Sequence, residues 1–509
     1  MGNRTGKVYL VGAGPGAPDL LTIRGAEAMR IADVIIYDYL AGPEILRLAP
    51  EGSERIYAGK RGGGDHQFDQ DEINRMLIKH ARAGQRVIRL KGGDPFIFGR
   101  GGEEAEALAG AGIDFEVIPG VTSAVAAPAF AGIPLTHRDH GSFVAFVTGH
   151  EDPGNAPLGG VPWDELARAA RSRGTLVILM ATARMRENLA RIADAGLSLD
   201  TPAAAIQWAT TAAQKTVVAT LGTLADAATH AELGSPAVVV VGECAALAHK
   251  LRWIERLPLF GRRIVITRAA SNGAKLAAPL RMLGAEVVEF PTIETEPPDS
   301  YETLDSAIAR LASFDWIIFT SATGVDAFIE RLRATGNDIR GLAGVSIAAI
   351  GPATTARLAN YALQVAAMPS EYRAEALIGA LGEKRIAGAR ILIPRAQVAR
   401  EILPQLLREK GAREVIIAPA YKTVAPQRQD DRIASLISSG AIDLVAFTSS
   451  STVSNFNKIA GERSRGLKAA VIGPITAATA RECGYDVAVS AAEYTIDGLI
   501  DAIVKYFER

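Results

Sequence analysis

The sequence predicts an α/β protein built as two consecutive units, and three observations predict it. Short β-branched runs alternate with Ala-, Leu- and Arg-rich stretches along the whole chain, as in Lys7–Val11, Val34–Tyr37, Val87–Leu90, Thr175–Met180 and Ala237–Val241. That alternation is the pattern of parallel or mixed sheets covered by helices. It breaks near residues 250–261, where KLRWIERLPL reads as a helix end stopped by Pro258 and Phe260-Gly261-Arg262 opens a new strand. Beyond the break the chain repeats itself.

The repeat is collinear. GRRIVITRAASNGAKLAAPLRMLGAEVVEFPTIET from Gly261 matches GARILIPRAQVAREILPQLLREKGAREVIIAPAYKT from Gly388, and FDWIIFTSATGVDAF from Phe314 matches IDLVAFTSSSTVSNF from Ile442. GVSIAAIGPATTARL from Gly344 matches GLKAAVIGPITAATA from Gly466, and the tails EYRAEALIGAL and EYTIDGLIDAI close the two copies. The second unit is therefore two similar α/β lobes, an arrangement that commonly holds a ligand in the intervening cleft.

Gross composition bounds the rest. At 509 residues, with 48% hydrophobic and 22% charged residues, the chain is globular and too long for a single ordinary core. A formal net charge of −1 argues against a surface that coats nucleic acid. The two cysteines, Cys244 and Cys483, lie far apart and form neither a disulfide framework nor a zinc site, which fits a reducing cytoplasm. The start, MGNRTGKVYLVGAGPG, runs directly into a strand, so no signal peptide is expected, and no apolar run reaches the ~18 residues of a membrane span.

Two glycine-rich segments carry the chemistry of the first unit. VGAGPGAPDLLT (Val11–Thr22) follows a strand and precedes a helix, but its G-x-G-x-G spacing, with Pro15 inside the turn, departs from the dinucleotide fingerprint. A nicotinamide oxidoreductase is disfavoured; a plain tight turn is the competing reading. RLKGGDPFIFGRGGEE (Arg89–Glu104) is more specific, because it places Gly92, Gly93 and Asp94 at the carboxyl end of a strand, where open α/β sheets bind ligands. His137 and His140 lie three apart, yet no acidic or cysteine cluster completes a metal site, so they read as surface or substrate-contact residues and no metal is expected.

With Tyr37-Asp38, Gly59-Lys60-Arg61, Pro119–Ser123 (PGVTS), Pro134–Asp139 (PLTHRD) and Ser235–Glu243 (SPAVVVVGE), these segments resemble the uroporphyrinogen III C-methyltransferases, collinearly over about residues 5–245. The resemblance implies a two-lobed tetrapyrrole methyltransferase fold that binds S-adenosylmethionine and releases S-adenosylhomocysteine. It implies cofactor contacts at Pro15, Gly92, Gly93, Asp94, Ile97, Thr122, Ser123, Met180 and Ala209, the last at a position where the family usually has glycine. It also implies Asp38 as proton acceptor, Lys60 as proton donor, Arg61 as a substrate contact, and a homodimer formed through this unit. Read without the family, Asp38 is as well explained as a turn or helix-capping aspartate, and Lys60-Arg61 as a solvated pair.

In the second unit, hydroxyls and glycines gather where helices should begin, at Thr320–Thr323, Thr448–Ser451, Gly351–Thr354 and Gly473–Thr476. Each alone is an ordinary helix cap; two matched pairs around one cleft favour a polyanionic ligand. Arg268 and Arg395 end equivalent strands and can add charged contacts. With PRA (Pro394–Ala396), PAYKT (Pro419–Thr423), FTS (Phe447–Ser449), IGP-x-T and EYT-x-DGL (Glu493–Leu499), the unit resembles uroporphyrinogen III synthase over about 262–509. That implies a fold of two α/β lobes joined by a β-ladder, with Tyr421 as the catalytic candidate. Arg268, Ser321, Thr354, Arg395, Ser449 and Thr476 are then expected to hold the substrate.

The expected division is 1–250 methyltransferase, 251–261 linker and 262–509 synthase, the latter in lobes of about 262–295 plus 425–509 and about 296–420. The expected activity cyclises hydroxymethylbilane to uroporphyrinogen III with inversion of ring D, then adds two methyl groups to give precorrin-2. The alternative is a methyltransferase fused to a non-catalytic tetrapyrrole-binding module. A complete siroheme synthase is disfavoured, because no dinucleotide-binding domain is legible.

Overall fold

The computed structural model describes residues 6–39, 42–59, 68–150, 160–267, 270–292, 294–369, 374–399, 401–424 and 431–508. Among these described residues, twenty strands form four five-stranded sheets. The first sheet contains β1 (Lys7–Gly12), β2 (Val34–Tyr37), β3 (Glu54–Tyr57), β4 (Val87–Lys91) and β5 (Asp114–Ile118), in the order β3-β2-β4-β1-β5. All four pairings are parallel. Parallel strands covered by helices on both faces read as unbroken apolar runs. Val34–Ile36 and all of Val87–Lys91 are accordingly buried.

The second sheet holds β6 (Phe143–Thr148), β7 (Gly174–Leu179), β8 (Pro202–Gln207), β9 (Lys215–Thr220) and β10 (Ala237–Val241), in the order β6-β7-β10-β8-β9. Only β6 and β7 pair in parallel, so this lobe is mixed. The Ala-rich helix Ser123–Phe130 packs against it, burying Ala124 and Ala127 in one cluster with Val177, Val238 and Val240. Residues 251–258 fold back on that helix: the Trp253 indole donates to the Ala129 carbonyl at 3.0 Å and its ring lies 5.3 Å from that of Phe130.

The repeat in the sequence appears as two sheets of matching order. One holds β11 (Arg263–Ile266), β12 (Glu286–Glu289), and three strands from the far end of the chain; the other holds β13 (Glu294–Glu296), β14 (Trp316–Phe319), β15 (Ser346–Ala349), β16 (Arg390–Ala396) and β17 (Glu414–Val424). The far-end strands are β18 (Leu444–Phe447), β19 (Lys468–Val471) and β20 (Asp486–Ser490). The orders are β12-β11-β18-β19-β20 and β13-β17-β16-β14-β15. Strands aligned by the repeat therefore hold equivalent places: β11 with β16, β12 with β17, β18 with β14, and β19 with β15. The core of the third sheet joins residues almost 250 positions apart, Leu259 and Ile264 with Ile500 and Ile503.

Strand β17 explains how the lobes connect. Its first part runs parallel to β16, and its last residues pair antiparallel with β13 in the register Glu294↔Val424, Thr295↔Thr423 and Glu296↔Lys422. The two chain crossings between lobes are thereby zipped into one short ladder. An 11-residue strand is long enough to serve both pairings.

Candidate active sites

In the first half of the chain, the carboxyl ends of the adjacent strands β1, β4 and β5 converge. The turns after β1 and β4 exchange backbone hydrogen bonds, Gly93 N to Gly14 O at 2.8 Å and Gly14 N to Gly93 O at 3.2 Å. No side chain fits at the crossing. A Cβ on Gly120 would lie 2.1 Å from the Gly93 carbonyl oxygen, and one on Gly12 would lie 2.5 Å from the Gly120 Cα. Gly93 also has φ +67°, a conformation that L side chains rarely adopt. Three backbones thus approach one another with nothing between them, leaving a cradle walled by main chain.

Asp94 locks this arrangement. Its Oδ1 accepts from the Phe96 amide at 2.8 Å and its Oδ2 from the Gly120 amide at 3.0 Å, tying the end of β4 to the end of β5. Thr122 caps the helix Ser123–Phe130, accepting from the Ala124 amide at 3.3 Å, and so turns that helix's amino terminus toward the same end of the sheet.

The opposite wall comes from the second sheet. Met180 follows β7 with φ +56° and is half exposed; Trp208 and Thr210 follow β8 with φ +47° and +72°. Left-handed non-glycine residues gathered at one edge mark a segment held under strain by its surroundings. Thr210 Oγ1 accepts from the Ala17 amide at 3.0 Å, which closes the Trp208–Thr211 segment onto the glycine turn, and the Tyr39 and Trp208 rings lie 6.2 Å apart. Ala209 is 8% exposed and packs into the core with Ala204, Ile206 and Val238, so its methyl group is directed away from the cleft. An alanine at a customary glycine position is tolerated because only its backbone fronts the site.

Below the cradle lies a charged cluster that sequence reasoning missed. Glu104 is fully buried and its Oε1 accepts from Arg89 Nε at 3.0 Å, Lys91 Nζ at 2.8 Å and Gln70 Nε2 at 3.3 Å. Burial, followed by repulsion from Arg89, pushes the Lys91 ammonium below its ordinary range, and Glu104 offsets part of that. Arg89 reaches beyond Glu104 to Asp38, Nη2 to Oδ2 3.7 Å. Asp38 is thus no helix cap: it stands at the end of β2 beside a buried guanidinium, and its Oδ1 is buried without a hydrogen-bond partner among the described residues. Burial, then the Asp38 charge, raises the nearby Tyr57 phenol. The signal available in the sequence was Arg89 and Lys91 inside an otherwise apolar strand, VIRLK.

Lys60, Arg61 and Arg268 lie outside the described residues. Pro15, Gly92 and Ile97 sit on the turns that form the cradle, with Ile97 36% exposed. The His137 and His140 rings lie tilted against each other with centroids 4.9 Å apart, and among the described residues no group of three or more His, Cys, Asp or Glu side chains is gathered as metal ligands would be.

In the second half the structure brings Tyr421, Ser321 and Arg395 to one place. Tyr421 stands where β17 leaves β16 for the ladder, opposite a bulge at Arg395/Ala396, and its phenol is 3.2 Å from Ser321 Oγ. Ser321 also caps the helix Ala322–Ala334, accepting from the Gly324 amide at 3.0 Å. Arg395 is buried and its guanidinium is held by the exposed Glu401 carboxylate. In the other lobe Ser449 caps the helix Ser450–Ala460, and Ser450 Oγ donates to the Ile475 carbonyl at 3.4 Å, coupling the Ser449 turn to the Gly473 turn. Thr354 and Thr476 stand in the first turns of their helices and are only 5% exposed each. The Gly351 and Gly473 turns each place a proline at the first helical position.

Two families match the two halves. "Tetrapyrrole (Corrin/Porphyrin) Methylases" covers residues 7–225 and "Uroporphyrinogen-III synthase HemD" covers residues 274–501. A curated relative, the porphyrin biosynthesis protein HemD of Ruminiclostridium josui, is 38% identical over 503 residues, spanning 98% of this chain and 98% of its own. The chain belongs to the HemD family of porphyrin biosynthesis proteins. That match runs through both units of the chain. The siroheme synthase of Chromobacterium violaceum is 50% identical over 254 residues, 50% of this chain and 53% of that protein, so the chain spans about half the length of such relatives. A solved uroporphyrin-III C-methyl transferase of Thermus thermophilus, complexed with S-adenyl homocysteine, is 38% identical, with 48% of this chain and 100% of that one covered and a TM-score of 0.40.

Proposed function

We propose that the chain carries out two successive steps of tetrapyrrole synthesis: ring closure of hydroxymethylbilane to uroporphyrinogen III in the second half, and methylation of that product to precorrin-2 in the first. The observation that carries this is the pairing of two unlike sites in one chain. One is a main-chain cradle with the buried Glu104 carboxylate close by; the other sets Tyr421 against the Ser321 helix cap, with the coupled Ser449 and Gly473 helix starts in the other lobe.

For methylation the residues fit S-adenosylmethionine. The meeting of Gly12, Gly93 and Gly120 leaves main chain to face a flat ligand, and the half-exposed Met180 offers an apolar wall. When bound, that group supplies an electrophilic methyl on a sulfonium. The chain holds the attacking pyrrole carbon in line with it. Asp38 accepts the proton released from the macrocycle, with Arg89 at 3.7 Å orienting its carboxylate. Lys60 serves as the proton donor and Arg61 contacts the substrate. Pro15, Gly92, Gly93, Asp94, Ile97, Thr122, Ser123, Met180 and Ala209 surround the cofactor.

For ring closure, the amides and hydroxyls of the turns at Ser321, Thr354, Ser449 and Thr476 hold the acetate and propionate arms, with Arg268 and Arg395 adding charge. Tyr421 donates a hydrogen bond to the departing hydroxyl. The cleft then acts chiefly by conformation, fixing the linear chain so that ring D inverts before closure.

Residues 1–250 form the methyltransferase, 251–261 the linker, and 262–509 the synthase in this reading; the strands support it, since β10 ends at Val241 and β11 begins at Arg263. A homodimer through the methyltransferase is part of the proposal, on the strength of the resemblance. So is a cytoplasmic location, supported by two free cysteines. Among the described residues no helix is long and apolar enough to cross a membrane.

The test is incubation of the full chain with hydroxymethylbilane and S-adenosylmethionine, followed by mass spectrometry and isomer analysis. A type III product carrying two added methyl groups is expected. Type I product alone would reject synthase activity and leave a non-catalytic tetrapyrrole-binding module; no mass gain would reject methylation.

A further inference from the structure

The synthase half meets the methylase half along the edge strand β12, and that strand touches two segments framing the methylation cleft. Glu286 opens β12. It holds Arg263 of β11 through two charged hydrogen bonds, Nε to Oε1 2.8 Å and Nη2 to Oε2 3.0 Å, and its Oε2 also accepts from the backbone amide of Ala212 at 3.3 Å. Ala212 directly follows Trp208–Thr211, the segment whose Thr210 hydroxyl receives the Ala17 amide at 3.0 Å. At the other end of β12, the Glu289 carbonyl accepts from the Arg47 guanidinium, which follows the short helix Pro43–Leu46 a few residues beyond Asp38. Glu44 in that helix adds its charge to the field around Arg263.

A strained loop keeps its shape only if its surroundings over-determine it. Within the methylase half, the Trp208–Thr211 segment is held by Gln214, which accepts from Thr210 N at 3.0 Å, and by the Thr211 hydroxyl, which donates to the Trp208 carbonyl at 2.8 Å. Across the boundary it is held by Glu286. We propose that Glu286 is a positioning residue for methylation: clamped by Arg263, it braces the cofactor-facing loop, so that a synthase residue sets the affinity of the methyltransferase for S-adenosylmethionine. The inference rests on the reading of this cleft as the cofactor site.

The test uses the full chain and S-adenosylhomocysteine as the calorimetric probe. Glu286→Leu should raise its Kd about fivefold, the order of one lost hydrogen bond of ordinary net strength. KM for S-adenosylmethionine should rise in step while kcat stays within about twofold, and Glu286→Gln, which keeps one acceptor oxygen, should fall between. Conversion of hydroxymethylbilane should be little changed. Wild-type Kd in a Glu286→Leu protein with normal synthase turnover overturns the proposal. If that variant does not fold, Arg263→Met must weaken binding in the same direction, and unchanged binding there overturns it. Should the unmodified chain fail to bind the probe, it is the cofactor reading that falls. Amide exchange over 208–214 then tests the brace directly: faster exchange in the variant supports it, and equal exchange overturns it.

Discussion

Glu104→Gln is the sharpest probe of the methylase half. The wild-type carboxylate is fully buried and shared by Arg89 and Lys91, whose side chains are each 5% exposed. Glutamine keeps the shape and one acceptor oxygen but removes the charge, leaving two buried cations without their shared carboxylate, with Asp38 3.7 Å from Arg89. Breaking a buried pair by removing one partner typically costs about 3–5 kcal/mol, because the surviving charge has no compensation. Relief comes from Lys91, whose ammonium burial and Arg89 already push below the ordinary lysine range. The sign follows from linkage: a cation whose folded pKa lies below its unfolded value costs stability at low pH, and the cost fades as pH rises toward the unfolded value of 10.5. Losing Glu104 lowers the folded value further, so the deficit of the variant should shrink between pH 7 and about pH 9. Urea unfolding of the full chain, following the transition that S-adenosylhomocysteine shifts, measures both effects. Glu104→Gln with Lys91→Met should recover part of the loss, since one buried charge is then replaced by packing. A deficit under about 1 kcal/mol, or one that grows with pH, would refute the account of Glu104 as the charge that makes this cluster tenable.

Three further outcomes are expected. Asp38→Asn should lower kcat for methylation by about a hundredfold or more while leaving the Kd for S-adenosylhomocysteine within about twofold, by single-turnover kinetics and calorimetry; equal losses in both would assign Asp38 to binding. Gly120→Ala should abolish cofactor binding, since the new Cβ would fall 2.1 Å from the Gly93 oxygen, and retained affinity would show that the crossing of the three backbones is not the cradle. Tyr421→Phe should slow enzymic ring closure about tenfold or more and raise the fraction of type I product, read by isomer-resolved chromatography; a wild-type product ratio and rate would leave Tyr421 as a hinge residue packed beside Ser321.

The sequence by itself determined the α/β class, the tandem of two units and the duplication within the second. Each of these depends on periodicity and self-similarity, which are local properties of the chain. The repeat was enough to make β11 and β16 equivalent before either had a place in a sheet. The glycine segments were legible for the same reason, because a backbone that must pass another backbone closely excludes every side chain and leaves glycine in the sequence. Tyr421 and Ser321 were both legible as candidates, but nothing local sets their 3.2 Å separation across 100 residues.

Tertiary structure alone decided what depends on who ends up beside whom. Asp38, Arg89, Lys91 and Glu104 come from two strands and a helix, and an aspartate ending IIYD has the same local signature whether it caps a turn or faces a buried arginine. Ala209 looked like a departure from a glycine position until its methyl group was found in the core. The reason is common to both: composition and spacing fix which groups a segment carries, whereas the direction of a side chain at a strand end is set by packing against elements far away in sequence. The contact of Glu286 with Ala212, 74 residues apart, is a further case, for it joins the edge strand of the second half to the Trp208–Thr211 segment of the first.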